Sequence, residues 1–180
     1  MIGKYLKAVL VLLIVLFMVA YITIKKGPQS FVFAWVLNFA LMLAVFFFTN
    51  TFKPRLTAGY YNSKKWEANG TIYKWFGVNG FRKLLVLLGW EKVIRASSPV
   101  KKNLDAIKHL EHGTRQAEFG HLIIFFIVFA TNVFVAFRYG IAKSLSLFLL
   151  NIIFNVYPVI LQRYNRPRLQ RMIKLRRARA

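Results

Sequence analysis

Apolar residues fall into four long runs along the chain: Ala8 to Ile24, Phe31 to Phe52, Leu122 to Phe137 and Ile141 to Leu161. Each approaches or reaches the ~20 helical residues that cross a hydrocarbon core of about 30 Å. The third reaches that length when Glu118 to Gly120 form its first turn at the interface, so the expected spans are about 8–24, 31–52, 119–137 and 141–161. Lys4 and Lys7 ahead of the first run also fit the start of a secretory signal. The run is long for that role, however, and Ile24-Lys25-Lys26-Gly27-Pro28 has no small-x-small cleavage site, which favours an uncleaved anchor.

Between the second and third runs lies a polar loop, 53–118, which holds all five acidic residues: Glu67, Glu91, Asp105, Glu111 and Glu118. Its first part, with Gly59-Tyr60-Tyr61-Asn62-Ser63 and Asn69-Gly70, reads as turns. From Tyr73 to Trp90, aromatic and aliphatic residues alternate with Lys74, Arg82 and Lys83. That stretch is too short and too charged to span, and it suits a helix lying in the headgroup region. Ser97-Ser98-Pro99 marks a break and a helix start. The pattern predicts that this helix carries Leu104, Ile107 and Glu111 until Gly113 interrupts it, with a new helix running from Thr114 into the third span. The segment 163–180 reads as a basic surface helix.

Composition sharpens this picture. Of 180 residues 57% are hydrophobic, yet 27 Lys and Arg stand against 5 acids, a formal charge of +22. A soluble nucleic-acid binder would carry such a charge over a modest core, not beside runs of membrane length, so nucleic acid is not an expected partner. Basic residues number 13 in the loop 53–118, 8 from Arg163 onward and 2 before the first run, against 2 in each of the other two connections. With both ends and the long loop inside, 23 basic residues are cytoplasmic and 4 are outside. The expected protein is therefore all-α and polytopic, a single membrane domain over 1–180 in the cell membrane. It has about four spans, an interfacial amphipathic helix, both termini cytoplasmic and anionic lipids as neighbours. Cysteine is absent, which excludes thiol nucleophiles and cysteine-ligated metals.

Candidate chemistry gathers at the cytoplasmic ends of the last two spans. Glu118 and His121 are three residues apart, so a continuous helix puts them on one face. A carboxylate beside an imidazole fixes its tautomer and makes it a better base; the same spacing also fits an interfacial pair that merely starts a span. His109 and His112 would need His121 or Glu118 to complete a metal site, and Gly113 separates the two pairs, so no metal is expected. In the fourth run Asn151 and Asn155 lie one turn apart ahead of Tyr157-Pro158, where proline should open the helix. Such asparagines also serve simply as interhelical glue. The run Gln162-Arg163-Tyr164-Asn165-Arg166-Pro167-Arg168 then carries more chemical variety than a stop-transfer flank requires. Nucleophile elbows, phosphate-binding glycine loops and the His-Glu-x-x-His zinc motif are all missing.

The stretch from Asn155 to Leu169, above all Gln162-Arg-Tyr-Asn-Arg-Pro-Arg-Leu169, resembles the end of the glycosyl-4,4'-diaponeurosporenoate acyltransferase family of staphylococcal carotenoid synthesis. Thr114-Arg-x-Ala-Glu-x-x-His121 is similar to the family pattern, as are Trp66-Glu67-x-x-Gly70 and Tyr73-Lys-Trp75-Phe76. The resemblance implies an acyltransferase that esterifies a fatty acyl group onto the glucose 6-hydroxyl of a glycosylated C30 carotenoid acid. It implies no bound cofactor, only an acyl-thioester donor such as acyl-CoA as co-substrate. On that reading His121 removes the hydroxyl proton, Glu118 orients the imidazole, and Asn155 or Gln162 donates to the oxyanion. Arg163, Arg166 and Arg168 would hold donor phosphates, with Tyr164 and Asn165 lining the same substrate site. The competing class is a non-catalytic membrane protein that binds anionic lipid or scaffolds pigment-synthesis enzymes, and a lipid methyltransferase is a more distant alternative.

Overall fold

The computed structural model describes residues 2–89 and 104–178, and every regular element in it is helical. In chain order these are α1 (Ile2–Lys26), α2 (Phe31–Phe52), α3 (Val78–Leu87), α4 (Leu104–Tyr139), α5 (Ile141–Asn151) and α6 (Tyr157–Arg177). Short 3-10 segments, Gly59–Tyr61 and Lys65–Lys74, precede α3, and a π-helical turn, Ile152–Val156, joins α5 to α6. Among the described residues four stretches are long and apolar enough to cross a membrane: Gly3–Lys26, Phe31–Phe52, Leu104–Tyr139 and Ile141–Arg177. The expected all-α membrane architecture is therefore the observed one.

Contacts divide the chain into two compact units, one formed by residues up to Arg55 with Phe119–Val156, the other by Leu56–Glu118 with the chain from Tyr157. In the first unit Phe33, Ala34 and Leu37 of α2 meet Ile124, Val128 and Val135 of α4 and Leu147 and Leu150 of α5. Val19 and Ile22 of α1 pack at the edge of that cluster. The opposite faces are apolar and uncovered: Phe17, Phe46, Phe126 and Phe137 are all well exposed, as helices facing lipid require. Gly120 permits a close approach to α2, since a Cβ there would lie 3.0 Å from Val45 Cγ1.

The second unit is built on a smaller cluster of Tyr73, Val78 and Tyr164, with Ile72, Ile160 and Leu161 beside it. The interfacial helix is shorter than the pattern predicts. Tyr73 and Lys74 end a 3-10 stretch, Lys65–Lys74, which turns at Ala68, Asn69 and Gly70, all with positive φ, and α3 begins only after Gly77. Trp75, Phe76, Leu87 and Leu88 are exposed around α3, which fits a headgroup-level element. Trp90, Glu91 and the break at Ser97-Ser98-Pro99 lie outside the described residues.

One expectation about helix continuity changes and another is met. Gly113 does not interrupt anything: α4 runs unbroken from Leu104 to Tyr139. One interior glycine costs only about 1 kcal/mol, and Arg115 paired with Glu111 one turn away supports the same stretch. At Pro158 the helix is opened by a π turn over Ile152–Val156, so that Pro158 falls in the first turn of α6, where its missing N–H costs little. The continuity of α4 is checked by Gly113→Ala. A Cβ at Gly113 meets nothing within 4 Å, so the substitution should stabilise the protein by about 0.5–1 kcal/mol, read as a raised thermal midpoint in detergent. A lowered midpoint would mean that the helix does break there.

Candidate functional site

Each unit contains a buried polar network. In the second, Glu118 is fully buried on α4, and both of its oxygens are taken by arginines from α6. Arg163 Nε donates to Oε1 at 2.6 Å, and Arg166 Nη2 donates to Oε2. Arg163 also reaches Glu67 Oε1 at 3.2 Å, so two carboxylates and two guanidiniums form one charge-balanced chain. Glu67, itself 1% exposed, receives the Tyr73 hydroxyl at 2.6 Å and the Lys64 backbone N–H at 2.5 Å. Burial pushes the Glu67 carboxyl up, but those donors and the Arg163 charge outweigh it and hold the carboxyl below its ordinary value. Tyr73 is pushed up by burial and by the carboxylate it serves. The ring of Tyr60 lies 4.3 Å under the Arg163 guanidinium, and its hydroxyl too is raised, chiefly by burial.

Local backbone makes this possible. A Cβ on Gly70 (φ +87°) would stand 2.8 Å from the carbonyl oxygen of Tyr164, so only glycine lets the loop after Glu67 rest on α6. Pro167 has no N–H to return to the carbonyl of Arg163, and the Arg163 carbonyl belongs to the same close approach. The Trp66-Glu67-x-x-Gly70 motif therefore has a physical content: a carboxylate for Arg163 and a gap for the helix backbone.

In the first unit the centre is an asparagine relay. Asn38 Nδ2 donates to the Ala34 carbonyl at 2.9 Å, which turns its Oδ1 toward Asn155. Asn151 Nδ2 donates to the Phe125 carbonyl at 3.2 Å, which likewise leaves its Oδ1 as an acceptor. Asn155 Nδ2 gives one hydrogen to each, at 2.8 Å in both cases. Its remaining atom, Oδ1, faces His121 Nδ1 at 3.4 Å. Because that oxygen can only accept, the proton of a neutral His121 belongs on Nδ1, and Nε2 carries the lone pair. The backbone of Phe154, inside the π turn, also interacts with the ring.

Several residue assignments shift as a result. Glu118 and His121 do share a helix, but their side chains have different partners, so Asn155, not Glu118, holds the imidazole. Asn155 has spent both N–H groups and has none for an oxyanion. Arg166, 1% exposed, uses four of its five N–H groups on Thr114 Oγ1, the Thr114 and Tyr61 carbonyls and Glu118, so it is an internal tie and not a phosphate ligand. Arg163 is likewise committed to Glu118 and Glu67. Tyr164 is buried and accepts from Arg168 at 2.6 Å, while Arg168 itself is exposed. Gln162 and Asn165 are half-buried on α6. Among the described residues no three metal-ligating side chains converge. Asn38, and Glu67 beyond its place in the Trp66-Glu67-x-x-Gly70 motif, were not among the candidate residues, although each belongs to a buried network. The signal for Asn38 was available, since it is a lone amide within an otherwise apolar run.

Fold and site together define an all-helical, multi-span membrane protein with a tautomer-fixed histidine and a buried ion-pair chain. The glycosyl-4,4'-diaponeurosporenoate acyltransferase family matches residues 57–175, about two thirds of the chain, and the protein belongs to that family. It is accordingly an acyltransferase of a carotenoid-biosynthesis family. No curated protein and no solved structure matches the chain.

The matched region contains Glu118 and both of its arginine partners. Removing one member of a buried ion pair typically costs about 3–5 kcal/mol, because the remaining charge is left without its counter-ion. Glu118→Ala should therefore sharply lower membrane abundance and the thermal midpoint in detergent. A Glu118→Ala protein that accumulates and melts like the wild type would show that the ion-pair chain does not hold this unit together.

Proposed function

We propose that this protein transfers a fatty acyl group from a thioester donor to the 6-hydroxyl of the sugar on a glycosylated C30 carotenoid acid, at the cytoplasmic face of the cell membrane. The observation that carries the mechanism is the orientation of His121 by Asn155, with Asn38 and Asn151 fixing the Asn155 amide. The Nε2 lone pair accepts the sugar hydroxyl proton as its oxygen attacks the thioester carbonyl. The ester C–O bond forms, the C–S bond breaks, and the departing thiolate takes the proton from the imidazolium. An amide suits the orienting role in an apolar surround, where an ionised carboxylate would cost several kcal/mol to keep. Glu118 serves to hold Arg163 and Arg166.

The amphipathic acceptor supports a membrane enzyme: a polyene tail dissolves in the hydrocarbon layer and leaves its sugar at the interface. The cytoplasmic assignment rests on the 23 to 4 distribution of basic residues. In intact cells an impermeant thiol reagent should label a cysteine introduced at Gln29, and should label cysteines at Ser63 or Ala178 only after permeabilisation. Labelling of Ser63→Cys from outside would reverse the orientation.

For the reaction itself, membranes carrying the protein should esterify a supplied glycosyl carotenoid acid, with the product identified by mass spectrometry. His121→Ala should lower turnover by about 10²- to 10⁴-fold, the usual contribution of a positioned base, at unchanged protein level. A His121→Ala enzyme that turns over at a near-normal rate would remove the imidazole from the mechanism, and an acyl product on another acceptor class would replace the substrate.

A further inference from the structure

The second unit carries an open cleft of about 1220 Å³ that none of the chemistry above uses. One wall is the loop carrying Lys64, Lys65 and Asn69, and the others come from α4 and α6. Its charge is one-sided. Eight Lys and Arg line it, namely Lys64, Lys65, Lys108, Arg115, Arg168, Arg171, Lys174 and Arg177, against Glu111 alone. Glu111 is already engaged, accepting from Arg115 at 2.7 Å and from Gln170 at 3.0 Å. Lys108 is paired with Asp105, Lys64 donates to the Gly59 carbonyl, and Arg168 donates to Tyr164. Lys65, Arg171, Lys174 and Arg177 have no carboxylate partner among the described residues.

Arg171, Lys174 and Arg177 recur every three residues, so α6 turns a cationic stripe into the cleft. Like charges so placed repel, and an anion relieves that repulsion. A flat membrane surface needs no concavity to meet a basic helix, whereas this stripe shares the cleft with a second basic wall that carries Lys64, Lys65 and the amides of Asn62 and Asn69. Walls of cations and neutral donors match a compact ligand bearing several phosphates together with hydroxyl or heterocyclic groups.

We propose that this cleft binds a cluster of phosphates, and that in the reaction it holds the phosphorylated nucleotide handle of the acyl-thioester donor through Lys65, Arg171 and Lys174. The anion site stands on the cleft alone; its identity as the donor site rests on the acyl-transfer reading. Arg168, expected to grip donor phosphate, lines this cleft, whereas Arg163 and Arg166 do not.

The test uses the full chain in nanodiscs of uncharged phosphatidylcholine and titrates it calorimetrically with free coenzyme A, a probe that has the phosphates and no acyl group. Saturable binding should appear and should weaken with added salt. Arg171→Gln and Lys174→Gln change exposed side chains and should each weaken binding at least about tenfold, the scale of one charged hydrogen bond. Arg176→Gln, exposed on α6 but outside the cleft lining, should leave it unchanged. A second arm replaces coenzyme A with nanodiscs containing phosphatidylglycerol. Absence of coenzyme A binding, equal binding by the Arg171 and Lys174 variants, or an effect of those variants confined to the phosphatidylglycerol arm would overturn the donor site. Because no turnover is read, coenzyme A binding without esterification would fault the acyl-transfer reading and leave the anion site standing, whereas esterification without binding would do the reverse.

Discussion

A fully buried carboxylate must be met by opposite charge inside the protein, and Glu118 sets that requirement for the whole second unit. Its two oxygens draw in Arg163 and Arg166, and the surplus positive charge draws in Glu67, which in turn needs Tyr73 and the Lys64 N–H. Each partner adds a geometric demand. Glu67 reaches Arg163 only because its loop lies against α6, and the loop lies there only because Gly70 has no side chain. The left-handed backbone at Ala68 and Asn69 is the conformational cost of that contact, offset by a network in which every charge is paired.

The histidine is handled on the opposite principle. Around His121 stands no carboxylate partner among the described residues but a relay of three amides, each with its orientation forced by a neighbour that can only accept. Neutral groups carry little desolvation penalty within an apolar bundle, and three asparagines on α2, α5 and the π turn also tie those elements together. The π turn belongs to the same device: the register change at Ile152–Val156 accompanies Pro158 and carries Asn155 into the centre of the relay. Charge is thus concentrated in one network, while the other is built from neutral amides around the imidazole.

The basic residues likewise separate into kinds that net charge cannot distinguish. Arg166 is structural, tied to four acceptors and hidden from solvent. Arg171 and Lys174 line an open cleft with no carboxylate partner among the described residues, and Arg176 is exposed outside it. Net charge marks this end of the chain as basic, but only burial and partners say which guanidinium remains free for a ligand.

The sequence by itself determined the class of fold. Hydrophobic run length is a local and additive property, so the second span falls on Phe31–Phe52 as read, and the first, third and fourth sit inside longer helices. It also marked several members of the two buried networks, because Glu118, His121, Asn155, Arg163 and Arg166 stand out against apolar surroundings. What it did not contain was their partnerships. Three-residue spacing on α4 suggested that Glu118 serves His121, but a side chain goes to the partner offering the most favourable interaction in three dimensions. For Glu118 that partner is a pair of guanidiniums 45 and 48 residues away, and for His121 it is an amide 34 residues away. Gly113 likewise misled as punctuation, because one interior glycine is a penalty of only about 1 kcal/mol that packing overrides, whereas the opening expected ahead of Pro158 is present as the π turn. Which residues are within reach of one another is set by the packing of whole helices, and that information exists only in the tertiary structure.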